Sequence, residues 1–228
     1  KAFGLTTYNS TDGTQLTSIG QLIAKYDPYL EKYFTLWIMH SCIAKNKEEA
    51  TTWYMYFNHC DADELEKREI EAIVLREVEK YAQGKKFSER SLNNDIDTIL
   101  NMYSKNKENV DPEEKNICPF TSLGLIKNTD GKYVKCHPSK KIFSEMIVLY
   151  ELALLEKRGN GISIEDVIFG DNGLANIYNL TSVMVNEILD KLDDAGYIKV
   201  DRTAGLDMIY FIREIESTEV IEEYYRNY

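Results

Sequence analysis

Apolar side chains recur every three or four residues along several segments of the chain, a spacing that predicts helices with one buried face. The pattern predicts helices over residues 27–44, 48–59, 62–82, 88–103 and 139–157. Asp27-Pro28 is expected to start the first helix, because Pro is favoured at the first helical position. Ser88 is expected to cap the fourth helix. The chain is therefore predicted to be mainly helical.

Short strands are predicted near both ends of the chain and once in its middle. Asp12-Gly13 and Asp130-Gly131 are favoured hairpin dipeptides, and each lies between short strand-like segments. Near the C-terminus, Thr181 is expected to cap a helix that runs to Ala195, followed by strands over 197–200 and 208–212. A short helix, a longer helix and a two-stranded wing are the elements of a winged helix in their usual order.

These elements predict a mainly α fold, with α+β character in small wings and a helical domain flanked by winged-helix-like modules. Residues 1–26 are interpreted as the C-terminal remnant of a winged helix. Residues 27–138 are interpreted as a helical middle region with a small hairpin. Residues 139–228 are interpreted as a C-terminal winged-helix-like module plus a terminal acidic helix.

Charge is distributed unevenly along the 228 residues and limits where a nucleic acid could bind. The net charge of −11 divides into −5 for residues 1–79, +4 for residues 80–141 and −10 for residues 142–228. Phosphates repel a net-acidic protein unless positive charge gathers locally. The candidate nucleic-acid contacts are Lys85, Lys86 and Arg90 in the middle stretch, with Arg202 at the predicted wing tip.

The predicted reading helix of the C-terminal module argues against DNA binding by that module. Helix 181–195 carries a net charge of −3 and would be pushed away from phosphates. We therefore interpret this module as a structural or protein-contact element. The truncated N-terminal winged helix is the stronger candidate for DNA binding, with its reading helix in a part that precedes this sequence.

The sequence carries no recognisable pattern for catalysis or for cofactor binding. It has no glycine-rich phosphate-binding pattern, no HExxH and no GxSxG. Cys118, Cys136 and His137 could bind zinc in principle, but their spacing matches no known finger. The four widely spaced cysteines are better interpreted as reduced cytoplasmic thiols. The chain is thus predicted to be no enzyme, and to hold neither a metal nor a cofactor.

A dense group of aromatic and polar residues on two consecutive predicted helices has two interpretations. Core packing between the helices is favoured, and a pocket or peptide groove is the alternative. On the second interpretation, the candidate partner or ligand surface consists of Trp37, His40, Thr52, Trp53, Phe57, Asn58 and Asp95.

Several short motifs resemble domain-of-unknown-function family 4007, in the same order and over nearly the whole chain. They are Asp27-Pro28-Tyr29-Leu30-Glu31, Thr35-Leu36-Trp37 with His40, Ala50-Thr51-Thr52-Trp53 with Phe57-Asn58, Ser91-Leu92 with Asp95 and Tyr103, Cys118-Pro119-Phe120 with Leu123-Gly124-Leu125-Ile126, and Thr203-Ala204-Gly205-Leu206. The resemblance implies a somewhat longer protein with a further N-terminal helix-turn-helix portion. It also implies an accessory or regulatory role beside the sulfur-handling proteins of DNA phosphorothioation.

The functional expectation is therefore a non-enzymatic accessory or regulatory protein of a prokaryotic DNA modification or defence system. It would act in the cytoplasm through protein partners, with no membrane association, and would contact nucleic acid only with the missing N-terminal part. The alternative is a winged-helix transcriptional regulator whose reading helix lies in that part.

Overall fold

The computed structural model describes residues 1–62, 64–104, 117–155, 161–205 and 207–227. The helices are α1 (Ser18–Tyr26), α2 (Tyr33–Ala44), α3 (Thr51–His59), α4 (Lys67–Ala82), α5 (Glu89–Ser104), α6 (Glu145–Leu154), α7 (Ile164–Phe169), α8 (Leu174–Tyr178), α9 (Ser182–Asp194) and α10 (Ser217–Asn227). The strands are β1 (Thr6–Asn9), β2 (Gly13–Leu16), β3 (Glu64–Glu66), β4 (Ile126–Thr129), β5 (Lys132–Lys135), β6 (Ile162–Ser163), β7 (Ile198–Asp201) and β8 (Met208–Phe211). The fold is thus mainly α with small antiparallel sheets, as predicted.

Two of the three small sheets share one topology. The strand orders are β3-β5-β4 and β6-β8-β7, so in each sheet the last strand lies between the other two. In each case a helix precedes the first strand, further helices separate it from the second, and a hairpin joins the second strand to the third. Asp130 and Gly131 both have positive φ, 53° and 85°, as a two-residue type I′ hairpin loop between β4 and β5 requires.

Helix α2 is the centre of the core. Ten of its twelve residues are buried, on all sides of the helix. A helix that is apolar all round is buried all round, because it has no polar face to present to water. One continuous cluster of buried side chains connects α2 with the helices of both larger sheets. Within the described ranges, no helix is long and apolar enough to cross a bilayer.

The start of α2 differs from the prediction. The helix begins at Tyr33 and not at Asp27-Pro28. Asp27 is buried, and its carboxylate accepts hydrogen bonds from the backbone N–H of Glu31 at 2.9 Å and of Lys32 at 3.0 Å. These bonds hold residues 27–32 as a loop that leads into the helix, because the side chain satisfies donors that a helical turn would otherwise engage.

Strands β3 and β6 were not predicted, and each shortens a predicted helix or loop. Residues 64–66 form β3, so α4 begins at Lys67, where Glu66 and Glu69 form a capping box. Helix α6 begins only at Glu145, after the Ser144 cap, and α8 was not predicted. Residues 105–116, which belong to the positively charged stretch 80–141, lie outside the described residues, as does the end of the helix predicted over 139–157.

The N-terminal hairpin lies directly against α1. A Cβ atom at Gly20 would lie 2.1 Å from the backbone oxygen of Leu5, far inside van der Waals contact. The Thr17 hydroxyl caps α1 and also donates to the backbone oxygen of Gly4 at 2.6 Å. Only glycine fits this crossing of hairpin and helix, so the hairpin has a fixed position on the rest of the chain.

Candidate functional site

The predicted aromatic partner surface lies mostly in the protein core. Trp37 and His40 are 0% exposed and Phe57 is 1% exposed. Trp37 Nε1 donates to the backbone oxygen of Ile142 at 2.9 Å, which satisfies its polar atom within the core. These three side chains therefore cannot contact a partner. The surface interpretation is wrong for them, and the core interpretation of the same pattern is the one that the structure shows.

The other members of that predicted set have mixed positions. Thr52 and Asn58 are buried, and Trp53 is half-buried. Asn58 Nδ2 donates to the backbone oxygens of Ala44 and Tyr54, both at 3.1 Å, so it joins α2 to α3. Asn58 is thus a structural residue and not part of a contact surface.

His40 is held between two hydrogen-bond partners in the core. Its Nε2 lies 2.7 Å from the backbone oxygen of Ile177, and its Nδ1 lies 2.7 Å from the Tyr103 hydroxyl. A carbonyl only accepts, so Nε2 carries the proton and Nδ1 accepts from Tyr103. Burial lowers the pKa of His40 to about 4, so the ring is neutral at physiological pH. Its role is to connect α2, α5 and α8.

A second buried polar group lies between α2 and α6. It includes Ser41, the residue after His40 on α2, and Glu151 on α6. The Glu151 carboxylate accepts hydrogen bonds from the Ser41 hydroxyl at 2.6 Å and from the Tyr178 hydroxyl at 2.5 Å, and it forms an ion pair with Lys45. Burial, with the neighbouring carboxylate, raises the pKa of Tyr178 well above its ordinary value, so the hydroxyl stays a donor. The three donors compensate the cost of burying a carboxylate.

Residues of the predicted partner surface and residues predicted to contact nucleic acid meet at the junction of α3, α4 and α5. A cavity of about 300 Å³ opens there. The Thr52 hydroxyl donates to Asp95 Oδ2 at 2.8 Å on its inner wall. Lys85 and Lys86, predicted as nucleic-acid contacts, stand in the α4–α5 turn at its rim. The full lining is Thr51, Thr52, Val78, Tyr81, Ala82, Lys85, Lys86, Phe87, Ser88, Ser91, Leu92 and Asp95.

The sequence analysis missed the aromatic side chains of this cavity. Tyr81 is 42% exposed and Phe87 is 40% exposed, and both line the cavity beside the two lysines. Lys47 Nζ lies 4.8 Å from the centre of the Tyr81 ring, a cation–π distance. The available signal was the position of both aromatics on either side of the break at Gly84, with Tyr81 on the last turn of α4 and Phe87 in the loop that follows.

Arg202 is separated from the other predicted nucleic-acid contacts and is already engaged. Its guanidinium lies 2.7 Å from Asp190 Oδ1 and 2.9 Å from Asn186 Oδ1, both on α9. Lys199 of the same hairpin lies 3.2 Å from Asp193, at the end of that helix. The basic side chains of the C-terminal hairpin are thus exposed but ion-paired with carboxylates of α9.

Comparison with known proteins assigns the chain to a family. The sequence pattern of the family described as "Protein of unknown function (DUF4007)" matches residues 1–225. The chain belongs to this family. No curated protein matches the chain.

The fold of this DUF4007 chain is similar to that of two solved structures. A magnesium ion-bound crystal structure of SspB has a TM-score of 0.83 at 19% identity, over 99% of this chain and 73% of that one. A second SspB crystal structure has a TM-score of 0.82 at 20% identity, with the same coverage. At this level of identity the likeness shows the fold alone.

The cysteines of the DUF4007 chain are free thiols in half-buried or buried positions. Burial raises the pKa of Cys118, and it raises the pKa of Cys42 to about 11, so both are protonated at neutral pH. His137 Nδ1 lies 2.5 Å from the backbone oxygen of Asn179 and is thereby engaged. Among the described residues, no group of three or more His, Cys, Asp or Glu is arranged to hold a metal ion.

Proposed function

We propose that this chain is a non-enzymatic accessory or regulatory protein of a prokaryotic DNA modification or defence system, with phosphorothioation as the system its motifs indicate. It acts in the cytoplasm through contacts with protein partners. Membership of DUF4007 supports the assignment through the role that the resemblance to this family implies. For the C-terminal part of the chain, we favour protein contacts over DNA contacts because the basic side chains of its hairpin are already bonded to α9.

In this proposal both three-stranded sheets belong to winged-helix units. The middle unit consists of α3, β3, α4, α5, β4 and β5, and the C-terminal unit of α6, β6, α7, α8, α9, β7 and β8. Each sheet has the last strand of the unit between the other two, as in winged helices. The middle unit was interpreted from the sequence only as helices with a hairpin.

The C-terminal unit has the surface of a protein-contact module. Helix α9 would be the reading helix, but Arg202 and Lys199 are paired with its carboxylates, so the unit offers phosphates little free positive charge. Large apolar side chains are exposed on the same unit: Val183 on the first turn of α9 is 68% exposed, and Phe169 at the end of α7 is 60% exposed. Exposed apolar side chains are typical anchors of protein interfaces.

The accessory role is tested by comparing the activity of the purified chain on DNA with the effect of removing its gene from the host. The purified chain is incubated with plasmid DNA and magnesium, and strand breaks and base or backbone changes are measured. In parallel, its gene is removed from the host, and modification or restriction is measured. We expect unchanged plasmid and loss of the host function. Cleavage or modification of plasmid by the chain alone would refute a non-enzymatic role.

The contact module is tested in the same host with surface variants. F169D and V183D are expected to abolish the host function while the protein stays folded, because each adds a charge to an apolar contact. Y29D is the matched control, since Tyr29 is 83% exposed and lies outside the C-terminal unit. Equal loss of function in all three variants would contradict a contact confined to this unit.

A further inference from the structure

We propose that the middle unit binds B-form duplex DNA, with α5 as the helix that enters the major groove. Lys85, Lys86 and Arg90 contact the phosphates at the start of that helix. This inference goes beyond the proposed accessory role, which needs only protein contacts, and it differs from the sequence-based expectation that the reading helix precedes this sequence.

The outward face of α5 carries residues suited to base recognition. Asn93, Asn94 and Asn101 are exposed, while Leu92, Ile96 and Ile99 on the opposite side are buried. Asn101 lies about two helical turns after Asn93 and Asn94, so the three asparagines share one side of the helix. Asparagine pairs with adenine at the floor of the major groove.

One acidic residue of α5, Asp97, lies on the same face as these asparagines and already has a cationic partner. Asp97 Oδ1 forms an ion pair with Lys67 at 2.6 Å, which neutralises its charge. Asp95 accepts the Thr52 hydroxyl at the inner cavity wall. Glu89 is the one carboxylate in the turn that also carries Lys85, Lys86 and Arg90, so positive charge dominates where α5 begins.

The basic side chains at this end of α5 are free. Lys85, Lys86 and Arg90 are exposed, and none of them has an ion-pair partner in the part of the chain that the structure describes. Lys127 on β4, in the hairpin of the same unit, is likewise exposed and has no ion pair among the described residues. Phosphates line both sides of a DNA groove, so a unit that binds there needs available cations on both the α4–α5 turn and the β4–β5 hairpin.

The C-terminal unit provides an internal comparison, since it has the same strand order but its hairpin cations are ion-paired. Its hairpin cations, Lys199 and Arg202, are each paired with a carboxylate of α9. Lys140, just before that unit's first helix, is paired with Glu187 of α9 at 2.5 Å. Of the two units, the middle one therefore has a local cluster of cations without ion-pair partners among the described residues, beside the exposed asparagines of α5.

The groove dimensions favour DNA over RNA as the partner. The major groove of B-form DNA is about 12 Å wide and admits an α-helix. The major groove of A-form RNA is deep and too narrow for side chains to read. The asparagines of α5 can therefore reach base edges in a DNA duplex but not in an RNA duplex.

The test measures binding of a labelled DNA duplex of about 30 base pairs by fluorescence anisotropy, between 50 and 200 mM salt. The triple variant K85A/K86A/R90A removes three phosphate contacts, so the slope of log K against log salt should fall in magnitude by about 2.7, which is about 0.9 for each contact. The original protein should then lose about 40-fold more affinity than the variant across this fourfold change in salt. The three side chains are exposed, and circular dichroism checks that the variant is folded.

The matched control is K199A/R202A, which removes two exposed basic residues from the equivalent hairpin region of the C-terminal unit. This variant should bind DNA as the original protein does, and an unlabelled RNA duplex should compete poorly. Absence of DNA binding at 50 mM salt would overturn the proposal. So would an unchanged salt slope in the triple variant, a larger loss in the control, or equal competition by RNA. None of these results bears on the accessory role, which the host experiments decide.

Discussion

Replacing His40 by Gln should remove a pH dependence of stability that originates in the protein core. Burial lowers the pKa of His40 to about 4, against 6.5 in an unfolded chain. Because the folded value is the lower one, the unfolded chain binds more protons between these two values. The stability present above pH 6.5 is therefore lost as the pH falls towards 4.

The size of this effect follows from the shift in pKa. Each pKa unit corresponds to about 1.4 kcal/mol, so the fully developed loss is about 3 kcal/mol of unfolding free energy. The measurement is urea-induced unfolding of the original protein and of H40Q at several pH values from 7.5 to 4. Other groups titrate in both proteins and cancel in the difference between their unfolding free energies. H59Q, at an exposed position, controls for the removal of a histidine as such.

At pH 7 the original protein should be the more stable one, because H40Q removes a buried ring that packs edge-on against Phe57 and Tyr178. That advantage should shrink by about 3 kcal/mol as the pH falls to 4. If the two curves of unfolding free energy against pH run parallel, the burial argument for His40 is refuted.

Three further substitutions test contacts at the core and at the cavity, each by urea unfolding at pH 7. T52V should cost about 1 kcal/mol, since Asp95 loses its hydroxyl donor while the side-chain volume is kept. Y103F should cost about 1–3 kcal/mol, because the buried imidazole nitrogen then has no donor. In G20A the clash with Leu5 should cost about 1–3 kcal/mol, and a gain in helix propensity of about 1 kcal/mol should offset part of this cost.

Matched controls separate these contacts from general effects of substitution. T14V and Y210F change the same residue types at exposed positions, and S18A changes an exposed position in α1, the helix that contains Gly20. Each should alter the unfolding free energy by less than about 0.5 kcal/mol. If a control lowers the unfolding free energy as much as the variant to which it is matched, the named contact is not the cause.

The helices with one clear apolar stripe could be predicted closely from the sequence. Helix α5 runs over Glu89–Ser104 against a prediction of 88–103, because its apolar spacing and the Ser88 cap are both local signals. Strand β6 has two residues, and its partner strand β8 lies more than forty residues further along the chain. Such a strand exists only through tertiary pairing, which no local pattern records.

The candidate site was predictable in its parts but not in its assembly. The sequence identified Thr52, Asp95, Lys85 and Lys86, but as members of two different surfaces. They meet in one cavity because α3, α4 and α5 pack against each other, and that packing depends on long-range burial. The sequence likewise could not separate core aromatics from surface aromatics, since Trp37 and Phe57 on adjacent helices suit both a packed interior and a groove.

The burial of α2 on all sides determines when its backbone amide hydrogens can exchange with solvent. No side of that helix can be uncovered without separating it from elements of both the middle and the C-terminal units. Its amide hydrogens should therefore exchange with deuterium only when the whole chain unfolds, while the ends of the hairpins exchange by local opening. A fragment that begins after Ala44 would lack the centre of the core, so the two units should unfold in one cooperative transition and not as separable pieces.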